Sequence, residues 1–86
     1  MTTYTFYSDP GHGWLEVDIH EINRLGVRGI SSCSYRNGNR CYLEEDRDAP
    51  LFLNRKDQLG EKYDIVDKYL DPTPIRDMPD YWNPEG

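Results

Sequence analysis

The chain has 86 residues, of which 36% are hydrophobic and 13% aromatic, and this composition is typical of one small globular domain. Its formal net charge is −6. This charge argues against non-specific binding to DNA or RNA and against docking on an anionic membrane, because both require clusters of Lys and Arg. It suits a partner protein with a basic surface, although solubility alone is the simpler reason for it.

The chain contains no targeting or membrane-spanning pattern. No apolar run approaches the roughly 20 residues of a transmembrane helix. Residues 1–5 lack the basic and apolar regions of a signal peptide. The sequence therefore predicts a cytoplasmic protein in which Cys33 and Cys41 are reduced.

Two strands joined by a glycine-rich turn are predicted near the start of the chain. Tyr4–Tyr7 and Trp14–Val17 have the aromatic and β-branched composition of strands. Between them, Asp9–Gly13 holds a proline and two glycines and places His12 beside Trp14. Glycine allows a close backbone approach, so this turn is a candidate recognition site. The alternative is a purely structural turn with Trp14 as a core ring.

The first helix is predicted from signals at both of its ends. Asp18 is the expected N-cap, and Glu21 follows three residues later, as in a capping box. Gly26 stands where a left-handed residue ends a helix, and Val27 can fold back on Ile22 in a Schellman closure. The sequence thus predicts a short helix with defined ends.

A central hairpin is predicted over Ile30–Glu45, with two possible registers. A two-residue Asn37-Gly38 turn would pair Arg36 with Asn39, and a three-residue loop would pair Tyr35 with Asn39. Only the second register places the two cysteines opposite each other, where a disulfide could form. Two reduced thiols packed in the sheet are favoured in a reducing compartment.

A second helix and a last strand complete the predicted domain. The run Glu44–Asp48 is interpreted as a solvated acidic edge that supplies Asp48 as the helix N-cap. Gly60 is expected to end this helix, and Lys62–Leu70 alternates like a strand. The buried face of the helix is predicted to hold Ala49, Phe52, Leu59 and the stem of Lys56.

The predicted fold class is therefore α+β. The element order ββαββαβ indicates a mainly antiparallel five-stranded sheet with both helices on one face. Residues 1–70 form the domain, and residues 71–86 are a Pro-rich tail whose aromatic residues pin it, extended, across the domain. The last residues, 83–86, are expected to fray.

No pattern in the chain amounts to a catalytic or metal-binding motif. His12, His20, Cys33 and Cys41 are the right residue types for zinc, but each pair is eight residues apart, too far for a structural zinc site. No phosphate-binding loop is present. The sequence therefore predicts no catalytic residue, no metal and no cofactor, and an enzyme is the less favoured interpretation.

Candidate binding residues come from the His12 turn, the hairpin, the acidic run and the tail. Arginine beside aromatic rings is typical of recognition surfaces. The candidates are His12, Trp14, Tyr35, Arg36, Glu44, Glu45, Asp46, Arg76 and Trp82.

The run Tyr7–Val17 resembles the opening of a family of small, uncharacterised proteins found in bacteriophage and prophage genomes. Further similar segments are Ile30–Ser32 with Ser34-Tyr35, Tyr42–Asp46 and Ile75-Arg76. The resemblance covers most of the chain. It implies a non-structural phage protein in the cytoplasm of an infected cell, and it brings no catalytic residue. It also weakens a disulfide or metal role for Cys33 and Cys41, because the resemblance implies other sheet-forming residues at these positions in the relatives.

The leading hypothesis is a small acidic accessory protein that binds a host or phage macromolecule, for example to inhibit a host defence or nucleic-acid enzyme. One alternative is a small-ligand-binding domain or small enzyme, with His12 in the site and Arg76 or a carboxylate opposite. Another is a module that assembles with itself, and the sequence leaves the oligomeric state open.

Overall fold

The computed structural model describes residues 1–83 and confirms the predicted fold class and element order. The predicted fraying falls mostly on residues 84–86, which lie outside the described part. The elements in chain order are β1 (Thr2–Ser8), β2 (Gly13–Asp18), α1 (Ile19–Leu25), β3 (Tyr35–Asn37), β4 (Arg40–Glu44), α2 (Asp48–Gln58), β5 (Tyr63–Tyr69) and a 3-10 helix (Pro74–Asp77).

The five strands form one sheet in the order β3-β4-β2-β1-β5. Neighbouring strands are antiparallel, except that β1 and β5 are parallel along their whole length. The sheet therefore has the short strand β3 at one edge and the longer strand β5 at the other.

Side chains alternate between the two faces of the sheet, and each face is covered differently. On one side, which we call the helix face, α1 and α2 pack on the inward residues of β2 and β4. The main members of this core are Leu15, Val17, Ile22, Leu25, Leu43 and Phe52. On the other side, Trp14 and Tyr42 pack with Ile75 from the chain segment that follows β5.

We call residues 71–83 the strap, and the side of the sheet under Ile75 the strap face. The strap was expected to be extended, but it includes a 3-10 helix because Pro74 begins that helix and the Thr73 hydroxyl accepts a hydrogen bond from Ile75 N. Past this helix the strap passes around the edge of the sheet at β3, and Tyr81 joins the helix-face core. Trp82 remains 65% exposed.

Helix α1 has the predicted ends but not the predicted capping box. The Asp18 carboxylate accepts from His20 N, and Gly26 has the left-handed φ of 68°. Val27 N donates to the Ile22 carbonyl, which closes the Schellman motif. Glu21, in contrast, does not reach back to Asp18, because its carboxylate accepts from the Tyr4 hydroxyl, Arg24 and the buried Lys56.

Both predicted registers of the central hairpin are wrong. Asn37 pairs with Arg40, and the turn residues are Gly38 and Asn39. Gly38, the first turn residue, has a φ of 63°. Asn39, the second, does not have a positive φ, because within residues 1–83 only glycines do. A positive φ at the first turn residue alone is the pattern of a type II′ turn. The strand β3 begins only at Tyr35, so residues 30–34 form a loop instead of the predicted strand.

The cysteines are separated by this register. Arg36, not Cys33, lies opposite Cys41. Cys33 is exposed in the loop before β3 and does not pack in the sheet, whereas Cys41 is buried and its pKa is raised to about 11 by that burial. A cross-strand disulfide is therefore ruled out by the observed pairing.

Helix α2 begins one residue earlier than predicted. Asp48 is its first residue, Arg47 is the N-cap, and no side chain caps the helix. Leu59 was expected in the buried face but is 47% exposed, because it lies beyond the last helical turn. Gly60 ends the helix as predicted, with a φ of 70°.

Candidate functional site

An open cleft of about 460 Å³ lies where the β1–β2 turn, the start of β3, the end of β4 and the strap meet. We call it the His12 cleft. Six of the nine candidate binding residues line it, together with three residues that the sequence did not suggest. The lining residues are His12, Trp14, Ser32, Cys33, Tyr35, Glu44, Asp46, Arg47 and Arg76.

Three candidates lie outside the cleft. The Arg36 Nε donates to the Gly38 carbonyl at the hairpin tip. Glu45 lines a separate groove beside α2. The Trp82 indole donates to the Ile30 carbonyl at the far end of the strap. The structure therefore does not bring these three side chains into one site with His12.

The turn that carries His12 is held by the side chain of Asp9. One Asp9 carboxylate oxygen accepts from Gly11 N at 2.9 Å and from His12 N at 2.8 Å. The Asp9 backbone N–H also donates to the His12 carbonyl at 2.9 Å. These bonds place the exposed His12 ring at the rim, with its centroid 6.0 Å from that of Trp14.

Arg76 joins the strap to the same turn. Its guanidinium donates twice to Asp9, with Nη2 2.9 Å from Oδ1, and its Cζ lies 5.4 Å from the Trp14 ring centroid. The Asp9 side chain is only 5% exposed, against 44% for Arg76. The guanidinium holds the pKa of the Asp9 carboxyl well below its usual range. The charge of Arg76 is therefore offset within the protein.

The floor of the cleft is aromatic and packed against the sheet. Trp14 is 2% exposed, and its ring centroid lies 6.2 Å from that of Tyr35. Tyr42 packs under them, and its hydroxyl donates to the Glu16 carboxylate at 2.9 Å. Burial raises the pKa of this hydroxyl above its usual value. Trp14 is thus mainly a core ring, with only a small part of its surface at the cleft.

The acidic run divides into internal and exposed carboxylates, which corrects its interpretation as a solvated edge. Glu44 is 8% exposed, and its carboxylate accepts from Asp46 N and Arg47 N at 3.0 Å each. Asp48 is 1% exposed and accepts from Ser31 and Ser34. Glu45 and Asp46 are exposed, and only Asp46 borders the cleft.

Sequence reasoning missed Ser32, Cys33 and Arg47 as cleft residues. The predicted strand over residues 30–34 would place the first two in the sheet, but these residues form a loop that brings Ser32 and Cys33 to the cleft. No local pattern marks this loop, because the Asp48 carboxylate that accepts from Ser31 and Ser34 lies 17 and 14 residues further along the chain.

The cleft offers groups suited to recognition. Within residues 1–83, no three His, Cys, Asp or Glu side chains are placed to hold a metal ion. In the same residues, neither helix has the length and apolar character needed to cross a bilayer. What the cleft presents is an imidazole, a carboxylate and guanidinium groups above an aromatic floor, an arrangement suited to binding a polar side chain.

No family of known proteins matches the chain, and no curated protein or solved structure is significantly similar to it. The geometry and charge of the cleft are therefore the basis for a functional proposal.

Proposed function

We propose that this protein is a binding module that receives a basic segment of a partner protein in the His12 cleft. The observation that carries the proposal is the meeting of six candidate residues from the turn, β2, β3, the β4 end and the strap in one open cleft. Residues that are far apart in sequence and line one concave place together are typical of a recognition site.

The charge of the cleft supports a cationic occupant. Glu44, Asp46 and Asp9 contribute three carboxylates at or beside the cleft, against the two guanidiniums of Arg47 and Arg76. Because Asp9 pairs with Arg76, an anionic ligand would have to compete with a formed ion pair. The overall charge of −6 also attracts a basic surface over longer distances and repels an acidic one.

The shape of the cleft supports a partner that presents one or two side chains. Sites for small molecules usually bury most of the ligand surface. The His12 cleft is instead open to solvent, with Trp14 and Tyr35 in its aromatic floor. The apolar stem of a lysine or arginine side chain can lie on this aromatic floor while its charge meets Asp46.

The phage context and the inhibition of a host enzyme remain predictions from the sequence resemblance. A basic nucleic-acid cleft on an enzyme is one partner surface that fits the proposal. The second candidate, a site for a small ligand or a reaction with His12 and Arg76 on opposite sides, is favoured by their presence in the same cleft. It is disfavoured by the Asp9–Arg76 ion pair.

The test is a selection of binders from a random peptide library displayed at low and moderate salt, followed by calorimetry on the enriched peptides. We expect enrichment of lysine and arginine, and weaker binding at the higher salt concentration. The variants His12→Ala and Asp46→Asn are expected to lose most of the affinity. The matched control Glu45→Gln, which removes the neighbouring exposed charge outside the cleft, is expected to bind like the wild type.

Two results would contradict the proposal. One is enrichment of acidic or neutral peptides, and the other is equal loss of affinity in Glu45→Gln and Asp46→Asn. A rise in melting temperature with phosphate-bearing small molecules, lost in His12→Ala, would favour the small-ligand candidate instead.

A further inference from the structure

The two edges of the sheet differ in how they are covered. At the β3 edge, Arg36 N donates to the Pro79 carbonyl at 2.9 Å, and Tyr35 forms a bridge with Asp80 of the strap. At the opposite edge, no element of residues 1–83 pairs with the outer side of β5. An uncovered strand edge presents a row of free N–H and C=O groups that another strand can pair with.

Strand β5 also exposes most of its apolar side chains. Ile65 is 42% exposed, Val66 is 55% exposed and Tyr69 is 61% exposed. They are three of the seven large apolar residues exposed within residues 1–83, and they fall in one five-residue span. Consecutive residues of a strand point to opposite faces, so this apolar surface is present on both sides of the strand.

The backbone groups at the open edge belong to the odd-numbered residues of β5. Leu70 N donates to the Ser8 carbonyl on β1 at 2.8 Å. The N–H and C=O of one residue point to the same side, and this side alternates along the strand. Even-numbered residues therefore bond to β1, and Tyr63, Ile65, Asp67 and Tyr69 direct their N–H and C=O groups outward.

The sequence of β5 is complementary to itself in the antiparallel direction. When two copies are aligned about Val66, each outward-bonding residue meets another outward-bonding residue, as a hydrogen-bonded ladder requires. The facing pairs are Val66 with Val66, Ile65 with Asp67, Asp64 with Lys68 and Tyr63 with Tyr69. All except the central pair occur twice, so the alignment gives two ion pairs and two aromatic pairs.

The neighbouring registers are less favourable. Hydrogen bonding allows shifts of the pairing that keep odd residues opposite odd residues. One such shift places Asp67 opposite Asp67 at the centre, and the other places Lys62 opposite Lys68 on both sides. Like charges directly opposite each other are destabilising. The charges of β5 therefore favour the alignment about Val66.

We propose that the protein forms a symmetric dimer through antiparallel pairing of β5 with β5 of a second copy. The contact is isologous, because the same surface serves both copies. The seven residues of β5 span about 24 Å and supply about eight backbone hydrogen bonds across the axis. The result is one continuous sheet in which both His12 clefts stay open, because β1 separates β5 from the strand β2 that bears Trp14.

Sedimentation velocity on the full chain over a wide concentration range tests the proposal. We expect the weight-average mass to rise from 10.1 kDa to twice that value. Asp64→Lys alone places two lysines opposite each other, and Lys68→Asp alone opposes two aspartates, so each variant is expected to stay monomeric. The control Asp77→Lys makes the same charge change as Asp64→Lys on the exposed strap and is expected to dimerise like the wild type.

Mixing the two monomeric variants tests directly whether Asp64 and Lys68 face each other across the dimer. The two exchanged charges are complementary between one Asp64→Lys chain and one Lys68→Asp chain, so a heterodimer is expected. The double variant carrying both substitutions is expected to form a homodimer again. Recovery in the mixture also shows that each single variant was folded.

A second measurement follows the backbone itself. Amide hydrogen exchange at Ile65 and Asp67 is expected to slow with increasing protein concentration, because their N–H groups are bonded only in the dimer. A wild type that remains monomeric at all concentrations would overturn the proposal. So would a dimer that Asp64→Lys and Lys68→Asp leave intact, since that dimer would use another surface.

Discussion

At the scale of single residues, Gly13 is required by its neighbour across the β1–β2 pair. A Cβ at this position would lie 2.7 Å from Cε2 of Phe6, and closer still to Cζ of the same ring. Gly13 does not have a left-handed φ, so the requirement concerns space and not backbone conformation. The glycine-rich turn is visible in the sequence, but the ring that lies on Gly13 is visible only once the register of the two strands is known.

We predict that Gly13→Ala lowers the free energy of unfolding by about 1–3 kcal/mol, because the Phe6 ring must move away from the strand. Gly11→Ala is the matched comparison. Its Cβ would meet Arg76 Nη2 at 3.1 Å, at the end of a side chain that can shift, so a much smaller loss is expected. Urea denaturation of both variants measures the difference, and equal losses would contradict this explanation.

At the scale of elements, the ends of the two helices show what short-range patterns can predict. The signals for α1 lie within its own segment, and they correctly gave Asp18 as the N-cap and Gly26 as the end. Helix α2 begins without a side-chain cap, because Asp48 is used by the loop at residues 31–34. The role of Asp48 depends on Ser34 and Ser31, which lie 14 and 17 residues away, and no local pattern reveals such contacts.

We predict that Asp48→Ala costs about 3 kcal/mol of stability, since it leaves Ser31 N–H and two serine hydroxyls without their acceptor. Asp46→Ala is expected to stay within about 0.5 kcal/mol of the wild type, because its carboxylate is exposed. Thermal and urea unfolding of the two variants compare them directly. Similar losses would mean that the acidic run acts as a unit.

The site residues that local patterns mark could be predicted, and those placed by tertiary contacts could not. His12, Trp14 and Tyr35 stood out because of their composition and position in local turns and strands. The hairpin register was wrong because Asn37-Gly38-Asn39 allows several turns that differ only in which residue takes the positive φ. Cys33 reaches the cleft through tertiary contacts of its loop, which the sequence does not encode locally.

At the scale of the whole molecule, ion pairs connect segments that are far apart in the chain. Arg76 of the strap pairs with Asp9 of the first turn, and Arg24 of α1 pairs with Glu61 after α2. The hydrogen bonds from Arg76 lower the pKa of Asp9, and those from Arg24 lower the pKa of Glu61 to about 2. Folding therefore favours the ionised form of both carboxylates.

Stability is predicted to fall in acid for this reason. A carboxyl whose pKa is lower in the folded state stabilises the protein above its unfolded pKa, which is about 4 for Asp and Glu. That contribution is lost as the pH falls from about 4 through the folded values. The double variant Asp9→Asn with Glu61→Gln is expected to be less stable than the wild type at neutral pH. It is also expected to lose less stability than the wild type on acidification, as measured by urea midpoints between neutral pH and about pH 2. Parallel curves would contradict the prediction.

The parallel pairing of β1 with β5 has a consequence for how the protein is made. Thr2 pairs with Tyr63, so during synthesis β1 waits about 60 residues for its second neighbour. At a synthesis rate of about 5–20 residues per second, this delay lasts several seconds. During that time the nascent chain can form the β1–β2 hairpin, but the other side of β1 stays unpaired. Although β1 precedes the other four strands of this sheet, it is thus among the last to have both of its neighbours in place.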